Sequence, residues 1–277
     1  MKREGKNKFV NSRSDIVSKE NYLSMSKRSQ ITVFIIVAIL VIAGVVVIYS
    51  SIKSSRDNLD PTFDDVGTKA EVNSLQSSSF ECMKDSSYNA LKTIGIQGGF
   101  YKKPTQSYDL GWAFIPYYYY SGNYLMPDKG RVQNELSSYV NDKMKECIDK
   151  LSFNNFELSV GEPKTTTSLT KGKARFVIDM PLILKKGDKT SVIELKNMPV
   201  VYNSSLYDIL EVATYITTTH LQDNRFFCIN CIVDMAVERN LYVDFLEFGE
   251  GSSDTLVTIT ENYISYEPYL FEFLNKY

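Results

Sequence analysis

Four cysteines, Cys82, Cys147, Cys228 and Cys231, carry the most chemically specific spacing in the chain. Paired thiols close disulfides, transfer electrons or bind metal, and their surroundings and compartment decide which. Cys82 and Cys147 are 65 positions apart, each inside a stretch of helical apolar periodicity. Two such helices packed side by side bring the pair within disulfide reach, and closing so long a loop stabilises by about 3 to 5 kcal/mol in the chain-entropy model. Cys228-Ile229-Asn230-Cys231 leaves three chemistries open: a structural bridge, a redox pair at a helix start, or half of a zinc site. The flanking Phe226, Phe227, Ile229 and Ile232 are expected to bury the pair, which disfavours a thiolate and makes the structural bridge the preferred reading.

Other chemistry is sparse. A zinc site would need two more ligands, and His220, the single histidine, does not supply them together with distant cysteines, so no metal and no cofactor is expected. His220 would also be the one base for a Ser-His-Asp or Cys-His arrangement, yet it sits in TYITTTHLQD, where a helix-surface role is the simpler one. No P-loop, GxGxxG, GxSxG or HExxH string occurs, and the adjacent carboxylates of Asp64 and Asp65 read as solvated. No catalytic residue is assigned.

The segment GWAFIPYYYYSGNYLMP, residues 111–127, supplies the candidate binding surface. Trp112, Phe114, Tyr117, Tyr118, Tyr119 and Tyr120 on a loop or edge strand would grip a protein or glycan partner by stacking and hydroxyl hydrogen bonds. Alternatively, alternate tyrosines face the core of a strand.

These residues need elements to hold them. Val66, Ala70, Val72, Leu75, Phe80, Met83, Ala90, Leu91 and Ile94 recur at helical spacing, predicting a long helix or two joined helices over about 63–95, stopped by Gly95, Gly98 and Gly99. A second helix over about 131–151 carries Val132, Leu136, Tyr139, Val140, Met144, Cys147, Ile148 and Leu151 on one face. After residue 153 the period changes. FELSV, ARFVIDMPLIL, KTSVIELKN and MPVVY read as strands, then a helix capped by Asn203 and Ser204 carries Leu206, Ile209, Leu210, Ala213, Ile216 and Leu221, and a shorter one follows Cys228. LYVDFLEF, DTLVTIT, NYISY and YLFEFLN close the chain as hairpin strands. The predicted fold class is α+β: a single N-terminal transmembrane helix, then helices packed on a mostly antiparallel sheet. The exterior domain is placed at 63–277, with a helical part 63–152 and a mixed part 153–277.

The membrane expectation rests on residues 31–50, twenty residues without a charge, behind a basic leader 1–30 and ahead of a polar stalk 51–62. At about 1.5 Å per residue such a helix matches a bilayer core of about 30 Å. Eight basic residues against three acidic ones before the span place the N-terminus in the cytoplasm and the rest outside the cell. The remainder holds 23 Lys plus Arg against 30 Asp plus Glu, a net charge of about −7 that excludes a nucleic-acid groove. The sequon Asn203-Ser204-Ser205 fits an exterior location.

Lys27-Arg28-Ser29-Gln30-Ile31-Thr32-Val33-Phe34 resembles the archaeal class III signal peptide of pilin-like proteins, which implies processing between Ser29 and Gln30. That family places Gly before the Gln and an acidic residue at the fifth mature position, where this chain has Ser29 and Phe34, so the span reads as a type II anchor. LKTIGIQGG and IPYYYY are similar to strings in uncharacterised single-span surface proteins of small-genome archaea, over residues 72–151. The CxxC resembles the redox turn of thioredoxin-like proteins, although the flanking elements do not read as a parallel βαβ unit. The function expected is a membrane-anchored cell-surface protein with a binding or structural ectodomain, in the manner of a pilin-like envelope component. Its partners are the lipid bilayer and a surface protein or glycan, and a homo-oligomer is compatible. The alternative is an exported thiol-disulfide oxidoreductase using Cys228 and Cys231.

Overall fold

The computed structural model describes residues 66–152, 156–222, 228–249, 254–262 and 268–276, all within one unit, Asp60–Tyr277. Helix α1 runs over Val66–Ile96. Its buried side chains Val72, Leu75, Ser79, Cys82, Ser86, Ala90 and Ile94 step by three or four residues, with Met83 beside Cys82, so a single stripe faces the interior. The helix ends where Gly98 and Gly99 take positive φ of 51° and 84°, and the Gly99 amide donates 2.8 Å to the Ile94 carbonyl. Three short strands follow, β1 (Ser107–Asp109), β2 (Phe114–Tyr120) and β3 (Asn123–Tyr124). Helix α2 spans Lys129–Ile148, capped by Asp128, whose side chain accepts from the Arg131 amide at 2.7 Å. Val132, Leu136, Val140, Met144 and Ile148 are buried at every fourth position, as its periodicity predicts.

The second half contributes β4 (Glu157–Val160), β5 (Lys164–Thr170), β6 (Lys173–Asp179), β7 (Pro181–Lys186), β8 (Lys189–Glu194) and β9 (Val200–Asn203). Helices α3 (Leu206–Gln222) and α4 (Ile229–Val237) precede β10 (Leu241–Phe248), β11 (Asp254–Glu261) and β12 (Leu270–Lys276). Ser204 caps α3 as expected, its hydroxyl accepting from the Leu206 amide at 3.2 Å.

The α+β character expected from the pattern is present, but the predicted class is corrected in two respects. Among the described residues no helix is long and apolar enough to cross a membrane, so a single N-terminal transmembrane helix is not part of the described fold; this says nothing of β-barrels. The longest helix, α1, carries Lys69, Glu71, Glu81, Lys84, Asp85 and Lys92, charges that a bilayer core does not accept. The stretch 31–50, the leader with Ser29 and Gln30, and the stalk 51–62 lie outside the described residues, as does most of NYISY.

The second correction concerns the sheet. Among the described residues there are three: β1-β2-β12-β11-β10 with β3 on β2, then β4-β7-β8, then β5-β6-β9. All pairs are antiparallel except β2 with β12, where Tyr117 lies beside Leu274 and the register shifts before Asn275. Residues 107–124 therefore join the C-terminal hairpins, and the boundary expected near residue 152 is not a structural one.

Two layers of contact hold the frame. Tyr118 stacks on Phe273 with ring centroids 4.2 Å apart, and its hydroxyl donates 2.9 Å to the Gly98 carbonyl, so the end of α1 sits on β2 and β12. On α2, the side chains of Gln133 and Asn141 accept from the Leu169 and Thr165 amides of edge strand β5 at 2.9 and 2.8 Å, while the Ser137 and Thr167 hydroxyls meet at 2.8 Å. An edge strand whose amides are occupied in this way does not recruit another chain.

Candidate functional site

The expected disulfides are both present. Cys82 and Cys147 have Cα atoms 5.9 Å apart and join α1 to α2, with Cys82 buried. Cys228 and Cys231 have Cα atoms 5.3 Å apart at the start of α4. Their expected burial is corrected: Cys231 is exposed, Cys228 half-buried, and Ile229 points outward, because α4 turns only Ile232 and Ala236 inward. Phe226 and Phe227 lie outside the described residues, and His220 falls in α3. Among the described residues no group of three or more His, Cys, Asp or Glu side chains is placed to hold a metal.

The aromatic surface expected at residues 112–120 is corrected as well. Phe114, Tyr117, Tyr118 and Tyr119 are buried, with Tyr118 0% exposed, and Tyr120 is half-buried. Strand β2 has both edges paired, by β1 and β12, and its successive side chains from Phe114 to Tyr119 are all buried, so both of its faces are covered. Trp112, 76% exposed in the β1–β2 turn, is left without the others beside it as a surface. Tyr117 instead donates a 2.8 Å bond to Asp254, whose second oxygen lies 3.2 Å from the Lys276 ammonium. Burial and this carboxylate hold the Tyr117 hydroxyl protonated far above its ordinary range.

A groove of about 550 Å³ opens elsewhere, where three elements meet. Tyr88, Leu91, Lys92 and Ile96, spaced to lie on one face of α1, form one wall. The end of β9 brings Tyr202 and Asn203, and the connected end of the β11–β12 hairpin brings Thr260, Glu261, Pro268 and Tyr269.

Close bonds fix these walls. The Tyr202 hydroxyl donates 2.8 Å to the Lys84 carbonyl, and the Tyr269 hydroxyl donates 3.0 Å to that of Leu91. The Glu261 amide donates to the Tyr269 carbonyl at 3.2 Å, and the Tyr269 amide returns a 3.3 Å bond to the Glu261 carboxylate. Tyr88 and Tyr202 face each other with centroids 5.9 Å apart and planes at 45°, and the Lys92 ammonium lies 4.8 Å over the Tyr88 ring. Burial, then the carboxylates of Asp85 and Glu81, raise the Tyr202 hydroxyl above its ordinary range, so it stays a neutral donor. Tyr88 is 45% exposed despite its size.

The arrangement offers apolar stacking faces flanked by an amide, a carboxylate and an ammonium. These are the kinds of group by which a pocket holds and orients a ligand. Sequence reasoning missed it because its residues come from positions 88–96, 202–204 and 260–270. The sequence signals were local: Tyr202 directly before a sequon, and Tyr88 four positions before Lys92.

Compared with known proteins, the chain matches no family model, no curated protein and no solved structure.

Proposed function

We propose that the chain is a cell-surface binding protein whose groove between α1, β9 and the β11–β12 hairpin takes up a short oligosaccharide segment. The observation that carries this reading is the Tyr88–Tyr202 pair at the mouth of a cavity of about 550 Å³, with the Tyr88 ring 45% exposed and Tyr202 half-buried against it. Sugar rings present apolar C–H faces that stack on tyrosine, and equatorial hydroxyls that bond to side chains such as Asn203 and Glu261. Two disulfides that use all four cysteines support an oxidising, exterior location. The net acidity of the domain disfavours a polyanionic ligand.

Titrating the full chain with a panel of neutral oligosaccharides, read by chemical shifts or calorimetry, tests the proposal. At least one is expected to bind, and Tyr88→Ala, which truncates a half-exposed ring at the groove mouth, is expected to weaken it at least about tenfold, the equivalent of 1.4 kcal/mol. No saccharide binding, or binding that Tyr88→Ala leaves unchanged, overturns the reading.

A further inference from the structure

The two disulfides sit in opposite surroundings. Cys82–Cys147 bridges two packed helices with Cys82 inside the core, whereas Cys228–Cys231 spans one turn at the N-terminus of a nine-residue helix with Cys231 exposed. The Cys228 sulfur is also the helix cap: it accepts the Cys231 amide at 3.3 Å. A sulfur so placed is stabilised as a thiolate by the amide it already accepts from and by the positive end of the helix. Beginning at the residue after Cys228, Ile229, Val233 and Val237 form an outward apolar row along α4, 56%, 46% and 62% exposed. Buried helices do not show such a row, and its continuity with the disulfide gives it an occupant: the apolar flanks of an extended polypeptide whose thiols reach the bond.

We propose that Cys228–Cys231 is a thiol-disulfide exchange site that takes two electrons from a polypeptide dithiol. The substrate thiolate attacks the exposed Cys231 sulfur, forming a substrate–Cys231 bond while the Cys231–Cys228 bond breaks and Cys228 leaves as the thiolate its helix cap stabilises. The second substrate thiolate then attacks the substrate sulfur of this mixed disulfide, releasing Cys231. The substrate is oxidised to its disulfide, and Cys228 and Cys231 end as thiols carrying the two protons. A small-molecule disulfide such as glutathione disulfide restores the bond by the reverse exchange. This site is separate from the saccharide groove and stands or falls without it.

The test uses the full oxidised chain and a synthetic peptide dithiol with apolar flanks, with acid quenching, alkylation and peptide mapping. Cys228 and Cys231 are expected to take the label at a dithiol concentration at least about tenfold below that needed for Cys82 and Cys147, with one peptide disulfide formed per pair opened. The quenched intermediate is expected on Cys231, the apolar-flanked peptide is expected to outrun glutathione at equal thiol, and glutathione disulfide is expected to allow several peptides per chain. The Cys228→Ser, Cys231→Ser double variant, checked for an intact Cys82–Cys147 bond, is expected to oxidise no peptide. Equal opening of both bonds, peptide oxidation by the double variant, an intermediate on Cys228 or no advantage over glutathione overturns the proposal.

Discussion

Tyr117 and Asp254, 137 positions apart in the chain, are joined by a buried 2.8 Å hydrogen bond that ties β2 to the start of β11 across β12. The bond has an ionised acceptor, and Lys276 lies beside it with its ammonium 5.6 Å from the Tyr120 ring centre. Tyr117→Phe keeps the edge-on contact with Tyr120 and removes only the donor. A loss of about 1.5 to 3 kcal/mol is expected for a bond to a charged group. Denaturant unfolding with an unchanged slope measures it; a loss below about 0.5 kcal/mol would mean that the bond is replaced.

Alkaline pH probes the same tyrosines together. Burial raises Tyr117, Tyr118 and Tyr269 well above the ordinary tyrosine range, while burial and a 3.0 Å bond to Asp142 push Tyr101 up to about 12. A group whose folded pKa exceeds its unfolded value of about 10 contributes stability that is complete below that pH and is lost as pH rises toward the folded pKa. Thermal stability is therefore expected to hold up to about pH 10 and fall steeply above it. Tyrosinate absorbance from these side chains should appear with unfolding. If the full absorbance of Tyr117 and Tyr118 develops while the chain is still folded, their interior assignment is wrong.

Much of this architecture is legible in local pattern, and the rest is not for identifiable reasons. The buried rows of α1 and α2 follow from spacing alone, and so does the helix start at Cys228. Strand β5, KTTTSLT, was unreadable as a strand because its amides bond to Gln133 and Asn141 of α2, and nothing apolar marks that arrangement. The tyrosines of β2 look like a binding surface because tyrosine suits both settings. Their burial depends on the parallel pairing with β12, more than 150 positions later in the chain, which no local pattern encodes. The groove shares that difficulty, since its walls converge only after the sheet has formed.

Gly95 gives a test of how tightly α1 sits on the sheet. A Cβ there would lie 2.5 Å from the Leu270 carbonyl oxygen and 3.0 Å from the Tyr269 ring. In an open helix, Gly→Ala gains about 1 kcal/mol of helix propensity. Here the obstructing atom is strand backbone, so overpacking of about 1 to 3 kcal/mol or more opposes the gain and net destabilisation is expected. A stabilised Gly95→Ala variant would show that the helix end can move away from β12.

The two disulfides should separate cleanly in stability. In the chain-entropy model a loop of 65 residues confers about 4 kcal/mol, whereas one of about four residues confers about 2. Replacing Cys82 and Cys147 with Ala is therefore expected to lower stability more than replacing Cys228 and Cys231, and the core position of Cys82 adds a packing loss. Full reduction should bring the wild type close to the first variant, since the unfolded state then gains the same freedom. Guanidinium unfolding with and without reductant measures both differences. Should the Cys228, Cys231 variant prove the less stable of the two, the long bridge is not the main covalent support of the helical pair.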